Sequence, residues 1–125
     1  MRLLKLSLIS LILFLPQQQN TNRFFFAFNR ETVTVANSSI GFTASKIKPT
    51  TSDNQAELAT FKVECATTSP CPIRFTLDGT TPTTSVGILL NEGDEVSVYS
   101  YLNISRFRAI RTTSNSAKLE AIYFQ

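Results

Sequence analysis

The chain has no histidine, no tryptophan, one methionine, two cysteines and four glycines in 125 residues. Each shortage removes a class of chemistry. Without histidine, neither a Ser-His-Asp nor a Cys-His nucleophile can be assembled. Two cysteines alone fall short of the roughly four ligands of a zinc site. Four glycines leave no phosphate-cradling loop. The acidic group Glu92, Asp94 and Glu95, set around Gly93, reads as a solvated hairpin and supplies too few oxygens for calcium. A Ser-Lys or paired-carboxylate mechanism stays formally open, but no residue stands out for either. The expectation is a protein that is not an enzyme, with no catalytic residue, no cofactor and no metal.

Clustered positive charge is also scarce. The formal net charge is +3, but Arg2 and Lys5 precede the first apolar run, and the remainder carries ten positive against nine negative residues. Nucleic-acid affinity needs Lys and Arg gathered on one surface, so no nucleic-acid partner is expected. The one concentration is Arg106, Arg108 and Arg111. Arg106 and Arg108 are expected on one face of a strand, with Arg74 on a neighbouring strand. That group reads either as a solvated face with cross-strand acids or as an anion-facing contact with a partner subunit.

Long hydrophobic runs are limited to residues 1–16 (MRLLKLSLISLILFLP). A bilayer core needs about 20 apolar residues to span, and this run is shorter. It suits the apolar region of a secretory signal, yet Gln17, Gln18, Gln19 and Asn20 follow where a small-x-small cleavage site belongs. Three readings stay open: a signal or signal-anchor, a virion arm or subunit-packing helix, and an over-extended reading frame. A membrane partner is expected only if this run is an anchor. Residues 1–30 are therefore set apart from a domain over 31–125. The cluster Phe24-Phe25-Phe26-Ala27-Phe28 between them either packs on the domain, joins a partner or continues the membrane segment.

What is present in quantity is alternation. Hydrophobic residues make up 42% of the chain, a globular value, and Phe dominates the aromatics with 10 copies. Ala59, Phe61, Val63 and Cys65 share parity against Thr60, Lys62 and Glu64, the clearest half-buried strand. Ile73, Phe75 and Leu77 repeat it, and residues 95–101 alternate again, with Val96 and Val98 against Glu95, Ser97 and Tyr99. Residues 32–35, 86–90, 107–111 and 119–124 also read as strands, and residues 40–47 as a weaker one broken by Gly41. Asp78-Gly79 and Asn91-Glu92-Gly93-Asp94 give turn signals. Seven or eight short strands with short turns argue an all-β antiparallel sandwich, Ig-like or jelly-roll-like. Phe61, Val63, Phe75, Leu77 and Val98 are its expected inward residues.

Cys65 and Cys71 bracket Ala-Thr-Thr-Ser-Pro, one ending a strand and one opening the next. A disulfide and two free thiols are both open, and the answer is tied to compartment. The sequons at Asn37 and Asn103 matter only in a eukaryotic secretory route.

The run Pro72-Ile73-Arg74-Phe75-Thr76-Leu77-Asp78-Gly79-Thr80-Thr81-Pro82-Thr83 resembles a small structural protein encoded in many tailed-phage genomes. The likeness continues through Val86-Gly87-Ile88-Leu89-Leu90, Gly93-Asp94, Phe107-Arg108-Ala109-Ile110-Arg111-Thr112 and residues 117–124, and residues 31–48 resemble the family's opening strands, so it covers most of residues 31–125. The N-terminal extension and the Cys65 and Cys71 loop depart from that pattern. Residues 75–83 are also similar to the chitobiase-type and fibronectin-associated Ig-like modules of secreted bacterial enzymes. The first resemblance implies a virion structural protein, a capsid decoration or head/neck accessory subunit that binds capsid or neck proteins, with homo-oligomerisation open. Arg74, Arg106 and Arg108 would then face the partner. The second implies a secreted or membrane-anchored binding module.

Overall fold

Alternation decides which residues become strands, because a strand turns successive side chains to opposite faces. The structure, a computed structural model, describes residues 23–125; every reading of residues 1–16 falls outside them. Among the described residues the strands are β1 (Ala27–Val35), β2 (Leu58–Cys65), β3 (Ile73–Thr76), β4 (Ile88–Leu90), β5 (Glu95–Tyr99), β6 (Arg108–Arg111) and β7 (Ala117–Phe124). Two short helices join them, α1 (Ala44–Ile47) and α2 (Tyr101–Arg106). The domain opens a few residues before position 31, since Ala27 already pairs with Phe124 of β7.

All pairings are antiparallel, in one sheet ordered β1-β7-β2-β5 and another ordered β4-β3-β6. Ile40 adds a single antiparallel bridge to Ala109 on the far side of β6. Counted with that bridge, the chain visits one sheet as segments one-eight-three-six and the other as two-seven-four-five. This is jelly-roll wiring, two Greek keys. An immunoglobulin-like sandwich keeps its last strand with its third and sixth, whereas β7 lies between β1 and β2.

The inner faces enclose an aromatic core. Phe107 stacks on Phe42 at 4.3 Å between centroids and on Phe75 at 5.6 Å, and meets Phe61 edge-on at 5.2 Å. Tyr123 reaches Phe42 at 5.5 Å. Such pairs contribute about 0.5–1.5 kcal/mol each beyond area burial. Phe61, Val63, Phe75 and Val98 are buried as expected, while Leu77 is only half-buried, one residue past the end of β3.

Two expectations about elements need correction. Residues 40–47 do not make a strand. After the Ile40 bridge, Phe42 turns into the core to stack on Phe107, and α1 then coils so that Ile47 is buried too. Strand β5 also stops at Tyr99, where Ser100 (φ 76°) turns the chain into α2 and Ile104 fills the core.

Candidate binding face

Of the three arginines singled out by sequence, Arg74 and Arg108 lie on the outward face of neighbouring strands β3 and β6, opposite the buried Ile73, Phe75 and Ala109, but Arg106 does not lie on a strand. Arg106 ends α2 rather than lying on a strand, so it shares no strand face with Arg108 in β6. The reason is Ile104, whose burial requires the helical turn that carries Arg106. Arg108 folds back, its Nη1 donating to the Phe107 carbonyl at 2.9 Å. Arg74 is engaged locally: its Nε donates to the Thr84 carbonyl and its Nη1 to that of Gly87. It therefore pins the 83–87 loop, with at most a residual share available to a partner.

The run that carries the resemblance is a loop-building device. Asp78 Oδ1 accepts from the Thr80 amide at 3.0 Å and its hydroxyl at 2.6 Å, while Thr76 Oγ1 donates to the Thr80 carbonyl. Those Thr80 bonds hold the Asp78 carboxyl below its ordinary range. Gly79 sits at φ +84°, as the turn requires. Gly87, at φ +120°, passes so close to Phe75 that an added Cβ would stand 2.9 Å from the Phe75 carbonyl oxygen. Pro82 is fully buried. Every distinctive residue of the stretch thus has a structural task, which is why it specifies a hairpin better than a partner.

Glu31 shares the inward parity of Val33 and Val35 in β1. It accepts from the Tyr123 hydroxyl and from the Thr43 amide and hydroxyl at 2.8 and 2.6 Å. Burial, reinforced by the hydrogen bond and charge of Glu31, pushes the Tyr123 phenol far above its ordinary pKa. The arrangement ties β1, β7 and the entry to α1 together.

Cys65 and Cys71 are joined by a disulfide, with Cα atoms 5.4 Å apart. It closes the loop between β2 and β3, and Cys71 is wholly buried. The acids Glu92 and Asp94 lie at that same end, where Glu92 accepts from Ser69 and Asp94 caps the Asn91 amide.

The outward face of the larger sheet is charge-balanced. Thr32, Glu120, Lys62 and Glu95 stand in register across its four strands, with Thr32 donating to Glu120 at 2.8 Å. They floor a shallow concavity of about 970 Å³. Nothing in that mix of charges selects a polyanion.

The opposite end of the sandwich carries the conspicuous surface. There the chain enters as Arg23-Phe24-Phe25-Phe26, and Phe26 pairs with Gln125 beyond the end of β7. Phe24 is 75% and Phe26 68% exposed, while Phe25 turns across the sheet end to meet Tyr99 edge-on at 6.4 Å. Tyr99 is 59% exposed, and Leu102 in the adjoining α2 is 53% exposed. Leu58 and Phe124, in register with Tyr99, fill the space between. Lys48 lies over the Tyr101 ring at 5.7 Å, and the Lys46 carbonyl accepts from Asn29. Exposed aromatics gathered at one end beside lysines mark a candidate interaction site; Val86, Ile88 and Leu89 are exposed at the β4 edge as well, but without aromatic rings.

No protein-family model, curated protein or solved structure matches this chain. The site must be read from its own geometry. Sequence had flagged the Phe24–Phe28 cluster but could not divide it between core and surface; Phe25 and Phe28 are half-buried, Phe24 and Phe26 are not. Tyr99 and Leu102 carried no signal beyond Tyr99 sharing parity with the polar Glu95 and Ser97. Chemically the end offers apolar contact and positive charge, the ingredients of docking.

Proposed function

We propose that this chain is a non-catalytic β-sandwich binding module, exported and anchored at a membrane. The observation that carries the reading is the aromatic end: exposed Phe24, Phe26, Tyr99 and Leu102 surround the point where residues 1–22 join the domain. An apolar run with a basic start then precedes a surface that itself avoids water. The Cys65 and Cys71 disulfide supports the same setting, because such bonds persist in oxidising compartments. The test is fractionation of cells expressing the full chain with a C-terminal epitope, together with maleimide labelling of its cysteines. The chain is expected in the membrane or exported fraction, with both cysteines unreactive until reduced. A soluble cytosolic protein with two reactive thiols would end this reading.

A second reading has its own observation in favour. The resemblance to the tailed-phage structural protein covers most of residues 31–125, from within β1 to β7, and jelly rolls also build viral capsid domains. On that reading the chain is a capsid decoration or head/neck accessory subunit in the virion, contacting capsid or neck proteins. Its partner contacts include the outward part of Arg106. Mass spectrometry of purified virions decides it: presence in the particle supports this second reading, and absence from particles removes it.

A further inference from the structure

We propose that the aromatic end is a membrane-contact face. Phe24, Phe26, Tyr99 and Leu102 enter the headgroup region of a phospholipid bilayer, while Arg23, Lys46 and Lys48 meet its phosphates. The inference rests on the membrane-anchored reading and adds an orientation and a lipid-binding surface to it.

Three observations converge on lipid as the occupant. The first is the position and length of the preceding chain. The apolar run ends at Leu15, and seven residues separate it from Arg23. Seven extended residues reach at most about 25 Å, so wherever the apolar run is held in a bilayer, the aromatic end is held near it. The second is the side-chain chemistry. Phe and Tyr suit the boundary between acyl chains and water, where a ring loses water on one side and keeps polar neighbours on the other. The third is the charge distribution along the domain. The aromatic end carries Arg23, Lys46 and Lys48 against Glu57 and Asp53, a small positive excess, whereas the far end carries Glu64, Glu92 and Asp94 against Lys118 opposite Glu64 and Arg111 beside Ser116, a small negative excess. The two ends are separated by the eight residues of β2, about 25 Å. An anionic surface therefore attracts one end and repels the other, turning the domain the same way as the tether does.

The absence of tryptophan makes the test clean. Full-length chains carrying one tryptophan each, Tyr99→Trp and Phe26→Trp at the aromatic end and Thr67→Trp in the exposed far loop, are reconstituted with vesicles. The vesicles are phosphatidylcholine with a minority of phosphatidylglycerol, with and without brominated acyl chains. Vesicle flotation reports the anchor, and tryptophan emission reports the docking. The chain is expected to float, with emission at positions 26 and 99 shifted to shorter wavelength and mostly quenched by bromine. Position 67 should keep the emission of a water-exposed ring. Lys46→Glu with Lys48→Glu should reduce quenching at position 99 without abolishing flotation. Flotation with no quenching at either near-end position would mean a domain hanging free on its tether, and would overturn this inference alone. Failure to float would overturn the anchored reading and this inference with it. Near-end rings that stay wet on lipid but become shielded in native envelopes would assign the face to a protein partner and reject the lipid.

Discussion

Tyr123→Phe removes one oxygen atom from the interior and should alter stability in two separable ways. The ring is fully buried, and its hydroxyl donates to Glu31. At neutral pH the substitution deletes a hydrogen bond to a charged acceptor, worth about 1.5–3 kcal/mol. Glu31 keeps the Thr43 amide and hydroxyl as donors, so the loss belongs at the low end, about 1.5 kcal/mol. The second effect appears in alkali. Burial first, and Glu31 second, hold the native phenol protonated far above its ordinary range. In the unfolded chain it titrates near pH 10. Above that pH the unfolded state binds fewer protons than the native state, so stability falls as pH rises. The contribution is intact below about pH 10 and declines by roughly 1.4 kcal/mol per pH unit above it. Between pH 10 and about 11.5 the wild type should lose about 2 kcal/mol that Tyr123→Phe retains. Urea denaturation followed by far-UV circular dichroism at pH 7, 9 and 11.5 measures both effects, since the difference between the two proteins cancels groups they share. Equal stability at neutral pH with parallel alkaline decline would refute the buried Glu31–Tyr123 pairing.

Phe107→Ala, at the centre of the aromatic core, should cost about 3–5 kcal/mol by urea denaturation, and a loss under about 1 kcal/mol would mean the rings do not pack as described. Cys65→Ser with Cys71→Ser should cost about 2 kcal/mol through the short closed loop; thiol titration of the denatured, unreduced wild type should find no free thiol. The Asp78 carboxyl is held below its ordinary value by Thr80, so its stabilisation is present above that value of 3.8 and lost as pH falls through the lower folded one. The stability gap between wild type and Asp78→Asn should therefore narrow in acid, and a gap that widens would contradict the Thr80 bonds. Arg74→Ala should free the 83–87 loop, read as faster hydrogen exchange at the Val86 amide, which Thr83 Oγ1 now accepts; unchanged exchange would show that Arg74 does not anchor it.

Some of this was legible in residue order alone. In β2 and β3 the parity of the apolar residues told which face each would take, since a strand offers only two faces. Asp78-Gly79 announced its turn because few residues tolerate the required backbone. Elsewhere local pattern gave out. Phe42 and Ile104 bury themselves by breaking the extended backbone, and the gain comes from Phe107 and the closing sheets, partners distant in sequence. Arg106 and Arg108 looked like strand neighbours for the same reason.

The sequence by itself therefore determined an all-β chain, its principal strands and the inward residues of the best-patterned ones, because those follow from local periodicity and the need to remove apolar side chains from water. Only the tertiary structure decided the jelly-roll order, the sharing of Glu31 among Tyr123 and Thr43, and the gathering of Phe24, Phe26, Tyr99 and Leu102 at one end. Each of these joins residues tens of positions apart. Pairing of that kind depends on which strand edges meet, and period-two alternation is the same whichever neighbour a strand takes.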